Sequence, residues 1–165
     1  MTPLALPAVL DVEASGFGRG SYPIEIGFVE PGGALFCALI LPAAEWTHWD
    51  DSAEALHGIT RAKLLAHGKP ARWVARELND RLRGLTVYSD GWGHDYPWLA
   101  CLFDSVDMQP SFHLEDLRRL LTEDEAARWH DVTLAVRREQ NLRRHRASSD
   151  ARVLQLAIER VRQHA

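Results

Sequence analysis

The stretch Ala8-Val9-Leu10-Asp11-Val12-Glu13-Ala14-Ser15-Gly16 decides how this chain is read. An apolar run leads into two carboxylates spaced one residue apart, and glycine closes it. Short apolar runs bounded by a turn residue form buried strands, which predicts a strand over residues 8–13. In a strand the side chains at i and i+2 share a face, so Asp11 and Glu13 converge near its end. Like charges that close raise each other's pKa unless positive charge lies between them. A hard divalent cation held by oxygen ligands is the natural counter-charge. Taken alone, the pair reads equally well as two solvated acids at a turn.

Outward from this strand, residues 23–29 alternate as a second strand and 34–41 read as a third, with Pro31-Gly32-Gly33 as the turn between them. Three strands joined by short loops imply an antiparallel meander. Helical patterns cover 51–56 and 70–83, where Pro70 suits a first turn and Val74, Leu78 and Leu82 recur at helical spacing. A strand over 85–89, a helix over 96–103, a short strand over 111–114 and helices over 115–121, 123–138 and 147–163 complete the order. The pattern predicts one α/β domain over 1–165, a mixed sheet flanked by helices, without linker or internal repeat.

Three further islands follow the first. They are Leu56-His57-Gly58-Ile59-Thr60, then Asp95-Tyr96-Pro97-Trp98-Leu99, then His145-Arg146-Ala147-Ser148-Ser149-Asp150-Ala151. In this order, across roughly residues 7–160, the chain resembles the DEDDh family of 3′-to-5′ exonucleases, which includes polymerase proofreading exonucleases, ribonuclease T and oligoribonuclease. Asp11, Glu13, Ser15 and Gly16 match the family's first motif. Asp95, Trp98 and Leu99 match the second, and His145, Ala147, Asp150 and Ala151 match the third. The resemblance implies a ribonuclease H-like fold with an antiparallel meander plus parallel strands.

The resemblance also implies a chemistry: a metal-dependent 3′-to-5′ exonuclease acting on single-stranded DNA or RNA. Two divalent ions, Mg2+ or Mn2+, stabilise charge on both the attacking and leaving oxygens in such sites. Asp11 would bridge the ions, Glu13 and Asp150 would complete the site around the attacking water, and Asp95 would act directly or through a bound water. His145 would be the general base, since an imidazole titrates at about 6.5. Ser15 and Gly16 would approach the terminal sugar by their backbone, and Phe17, His57 and Trp92 are candidates for stacking on terminal bases. The other tryptophans, Trp98 among them, read as packing residues. The contrasting reading is a non-catalytic or partner-dependent nucleic-acid-binding module of the same fold, associated with a polymerase.

Two features depart from the family pattern. Gly91 stands where many members carry Asn four residues before the second-motif aspartate, and Asp90 precedes it. Asp90 competes with Asp95 for the second-motif role, and the Trp98-Leu99 register favours Asp95. The segment between the second and third motifs also lacks an obvious insertion for gripping substrate, so the sugar preference stays open.

Composition sets the remaining bounds. Forty-six per cent hydrophobic and 25% charged residues describe an ordinary globular domain, and the apolar N-terminal stretch lacks the basic flank of a signal peptide. Cytoplasmic residence without membrane association is the expectation. Cys37 and Cys101 read as buried free thiols, because they show no paired metal spacing. A net charge of -4 runs against a polyanionic partner, but four acids given to two ions leave the rest about balanced. Arg137, Arg138, Arg143, Arg144 and Arg146 cluster around the third motif as a candidate phosphate track. Nothing in the pattern chooses between a homodimer and association with a polymerase.

Overall fold

Strand periodicity carries through into the sheet. β1 (Ala8–Ala14) lies between β2 (Pro23–Val29), with which it pairs antiparallel, and β4 (Thr86–Ser89), with which it pairs parallel. A computed structural model describes residues 5–142 and 145–163. Its sheet has five strands in the order β3-β2-β1-β4-β5, with β3 (Leu35–Leu39) antiparallel to β2 and β5 (His113–Asp116) parallel to β4. The expected meander and mixed sheet are both present.

The two faces of β1 do different work. Leu10 and Val12 join the larger core with Ile24, Ile26 and Phe28, covered by α3 (Ala71–Leu82) and α4 (Trp92–Asp104). Val9 faces the opposite side, where Ala151, Leu154 and Ile158 of α6 (Ala147–Gln163) pack on the sheet. Alternation therefore turns Asp11 and Glu13 toward the α6 side. α5 (Glu123–Gln140) packs outside α6 through Val136, Val153 and Ala157, its start fixed by a Thr122/Glu125 capping box.

Gly27 sets the approach of α6. Opposite Asp11 in the sheet, it has no side chain, and an added Cβ would lie 2.3 Å from the Ser148 nitrogen. Beside it Glu25, fully buried, accepts from the Arg146 guanidinium at 2.6 Å and from the Ala147 N–H at 2.8 Å. These contacts seat the first turn of α6, and hence Asp150, against the end of β1.

Several elements differ from the sequence expectation. α1 (Asp51–His57) is followed by a second short helix, α2 (Arg61–His67), capped by the Thr60 side chain; it buries only Leu64, so its apolar period is invisible in the sequence. α4 begins at Trp92, four residues before the expected start, with Gly93 and Pro97 inside it. Pro97 sits early in the helix, where it forfeits one hydrogen bond, to the Gly93 carbonyl, and the packing of Trp98, Leu99 and Leu102 outweighs that loss. Residues expected as a helix over 115–121 divide between β5 and a 3-10 turn, Leu117–Leu120, because Asp116 caps Arg118 locally. Both cysteines are free, but Cys37 is exposed on edge strand β3 and Cys101 is half-buried, because β3 lacks a neighbour on its outer side. Among the described residues no helix is long and apolar enough to cross a membrane.

Candidate active site

The ends of parallel strands β1 and β4 and the start of α6 bring the motif residues together. Ligand atoms of Glu13, His145 and Asp150 all lie within 4.8 Å of one another. Asp11 lines the same cleft with His145 and Asp150. Asp95 enters from the first turn of α4, buried, with the Ser89 hydroxyl donating to its Oδ2. Asp95 shares its side of the cleft with Glu13 and His145, whereas Asp90 lines the opposite, more open side with Asp11 and Asp150. The Trp98-Leu99 register thus selects the acid that is buried. His145 itself has a left-handed backbone, φ 59°, an uncommon state for a residue with a side chain.

Crowding of acids governs the electrostatics. Burial first, then the carboxylates of Asp95, Glu13 and Asp150, pushes the Asp11 carboxyl well above the ordinary range. Burial and Asp150 push Glu13 up to about 8. Burial pushes Asp95 up to about 7, opposed by the Ser89 hydrogen bond. Carboxylates that cannot all ionise together call for a cation, and an all-oxygen set with one imidazole beside it suits a hard divalent ion. Asp11, Glu13, Asp95 and Asp150 fit that group.

A carboxyl whose folded pKa is raised keeps its proton in the folded state after the unfolded chain has released it, so stability falls as pH rises toward the folded pKa. The His57 imidazole, held low by burial, works in the opposite sense only below its ordinary range. Between pH 6.5 and 8.5 the loss on Asp95 and Glu13 remains. In EDTA, Tm is expected to fall by several degrees across that window, each kcal/mol being worth roughly 2–4 °C in a chain of this size. Mg2+ at pH 8.5 restores it. Thermal melts at the two pH values check this; a Tm in EDTA that stays level or rises would contradict the crowding.

Beside the carboxylates lies an apolar pocket of about 240 Å³. That is below the roughly 300 Å³ at which sites for whole drug-sized ligands begin, and suits one ring system. Phe17, 62% exposed, meets the edge of His94 at 5.0 Å and leans on Trp98 at 5.9 Å, with Leu56 and His57 across from them. The His57 Nδ1 accepts the Ile59 N–H at 3.0 Å, which leaves the proton on Nε2. That buried Nε2 has no hydrogen-bond partner, and the Ala14 carbonyl nearby lacks the geometry of a bond.

The remaining candidates for contacts with substrate divide. Ser15 is fully buried, its hydroxyl shared between His48 Nδ1 and the Tyr22 N–H, and its own N–H and carbonyl bond to Tyr22 and Asp50. Its groups therefore hold the loop. Gly16 lines the pocket at φ 155°, and an added Cβ would stand 2.6 Å from the Asp50 Cβ. Trp92 lies elsewhere: its indole N–H donates to the Leu114 carbonyl and its ring packs near Tyr96, on the β5 side of α4. The face of α4 that meets the pocket carries His94 and Trp98, a pair at helical spacing hidden by placing the helix start at 96.

The arginine track is also redistributed. Arg146 is committed to buried Glu25, and Arg137 grips Asp150 at 2.5 Å with both side chains mostly buried. Arg138 is exposed, and Arg143 and Arg144 lie outside the described residues, as does His164. Asp90 and Arg137 are thus members of the site that carry no motif signal.

No protein-family model and no curated protein matches the chain. Solved structures do. Exonuclease I from Methylocaldum szegediense superposes with a TM-score of 0.71 at 16% identity, over 95% of this chain and 40% of that one. The Escherichia coli Exonuclease I complex with a dA16 oligonucleotide gives 0.66 at 12% identity, over 97% and 42%. The zinc-ion-bound E. coli ExoI–ssDNA complex gives 0.65 at 14%, over 96% and 41%. The chain spans about two-fifths of the length of these structures. At such identities the likeness establishes the fold, an α/β mixed sheet flanked by helices as in these structures.

Proposed function

We propose that the chain is a metal-dependent 3′-to-5′ exonuclease of the DEDDh kind, releasing nucleoside 5′-monophosphates from single-stranded nucleic acid. The observation that carries this reading is the convergence of Glu13, His145 and Asp150 within 4.8 Å, with Asp11 and Asp95 completing the cleft beside a pocket sized for one ring. The neighbours in fold include Exonuclease I structures solved with single-stranded DNA and with zinc, which supports a nucleic-acid substrate and a metal requirement.

Two divalent ions held by Asp11, Glu13, Asp95 and Asp150 would supply the positive charge that a phosphodiester needs as its attacking and leaving oxygens gain negative charge. This chain's own groups do the rest. Phe17, Trp98 and His94 enclose the terminal base, an arrangement indifferent to base identity. The neutral His57 closes the wall of the pocket across from them, its ring fixed by the Ile59 N–H. His145 takes a proton from the attacking water; a P–O bond forms to that water as the bond to the upstream O3′ breaks, and that oxygen leaves with the electron pair and takes a proton from solvent to become the new 3′-hydroxyl. Asp95, oriented by Ser89, keeps its carboxylate turned into the cleft.

Incubating the purified protein with 5′-labelled DNA and RNA of one sequence, in Mg2+, Mn2+ or EDTA, tests this. A ladder shortening from the 3′ end only when metal is present is expected. His145→Ala is expected to slow it by roughly 10²–10⁴, the usual share of general-base catalysis. Absence of cleavage with either strand and either metal would leave the chain as a binding module.

A further inference from the structure

On the other side of the cleft, the space between Asp11 and Asp150 opens into a second groove of about 380 Å³ between the 3-10 turn and α5. Asp90, Arg137 and Leu154 line both, so cleft and groove are continuous. The groove shares none of its described lining with the apolar pocket. Arg118 and His130 form its far wall, and both are exposed. Arg118 makes no ion pair among the described residues. The groove's Asp90 feels the Arg118 charge, which offsets its own.

We propose that this groove holds the phosphodiester immediately upstream of the scissile one, with Arg118 and Arg137 as its ligands, and that Arg137 passes from Asp150 to that phosphate when Asp150 takes up a metal ion. The proposal rests on the exonuclease reading and adds the path of the strand to it. The two sides of the cleft differ in chemistry. The apolar pocket has no Lys or Arg in its lining and so suits a nucleoside, whereas the groove sets two guanidinium groups against the single carboxylate of Asp90 and suits a backbone. Arg137 already holds an anionic oxygen, Asp150 Oδ1, through its Nη1 at 2.5 Å, and a phosphodiester oxygen offers its guanidinium the same kind of acceptor. It also forms the wall between cleft and groove, so releasing Asp150 leaves it facing the groove. Because the exchange links two binding events, metal and strand each strengthen the other by the same factor.

The test measures binding in the His145→Ala background, which slows consumption of the probe. Fluorescence anisotropy of 5′-fluorescein (dT)10 is followed against salt, in Mg2+ and in EDTA. A single-strand phosphate contact contributes about 0.7 to the slope of log affinity on log salt, or about fivefold in affinity at 0.1 M relative to 1 M. Arg118→Gln is expected to remove that increment in both conditions, and Arg137→Gln to remove it in Mg2+ but not in EDTA, where Arg137 stays on Asp150. Arg83→Gln, a change at an exposed arginine paired with Asp80, serves as the charge control and should leave the slope alone. Circular dichroism confirms that each variant is folded. Binding by the parent with slopes indifferent to Arg118 and Arg137 overturns the groove assignment and leaves the exonuclease reading standing. A parent that neither binds nor shortens any strand in Mg2+ overturns both.

Discussion

Asp11→Asn is expected to lower kcat at 3′ ends by roughly a thousandfold while raising the Tm of the metal-free protein. The catalytic loss follows from removing the carboxylate on which the others converge: Asp95, Glu13 and Asp150 all act on it. A bound ion supplies several kcal/mol of charge stabilisation, and each 1.36 kcal/mol is tenfold in rate. The gain in stability follows from the same crowding. An amide in place of Asp11 removes a carboxyl that burial and its acidic neighbours keep from ionising in the folded chain although it ionises freely when unfolded, so the site costs less to fold without metal. Opposite movements of kcat and Tm separate a site built around a cation from ordinary surface acids. Melting curves in EDTA and in Mn2+, with kcat on one oligonucleotide, check it. The variant is also expected to lose most of the Tm increment that Mn2+ gives the parent. A variant that melts lower than the parent in EDTA and keeps its rate would show that Asp11 is a structural acid.

Glu25→Ala is expected to be the most destabilising single change near the site. Glu25 is fully buried and holds three groups of another segment: Arg146 Nε at 3.1 Å, Arg146 Nη2 at 2.6 Å and the Ala147 N–H at 2.8 Å. Removing one partner of a buried pair leaves the other charge uncompensated, at roughly 3–5 kcal/mol. At about 2–4 °C per kcal/mol this lowers Tm by on the order of 10 °C. Activity should fall as well, by about 10²-fold, because His145 adjoins Arg146 and a small misplacement of a reacting group is that costly. Glu25→Gln, which keeps an acceptor for Ala147 while losing the charge, should lie between parent and Ala. Thermal melts and kcat for the pair test it, and a Glu25→Ala protein melting within about a degree of the parent would remove the anchoring role.

Among the motif residues, local rules reached far. Alternation in β1 put Asp11 and Glu13 on one face, and the cleft formed there. The interval from His145 to Asp150 straddles the start of α6, so both reach the same point. Strand and helix patterns also carried the meander, the strand after α3 and the long final helix, while the parallel pairing of that strand was implied by the family resemblance. α2 carries no apolar period in the sequence, because its two helical turns bury one leucine. The early start of α4 was masked by Gly93 and Pro97, whose local cost is overridden by packing.

What the sequence by itself determined was the identity and order of the groups that line the candidate site, because periods of 2 and 3.6 and local caps act over a few residues. Which cation meets which anion was decided only by the tertiary structure. Arg146 looks like a phosphate ligand until Glu25, 121 positions away, takes it, and Arg137 shows nothing in its own helix of its grip on Asp150. The aromatics sort in the same way: Phe17 and Trp98 meet across 5.9 Å at the pocket, while Trp92 turns to β5. Charge pairing and ring contact depend on distances of a few ångströms between segments far apart in the chain, and only the packed sheet and helices set those distances.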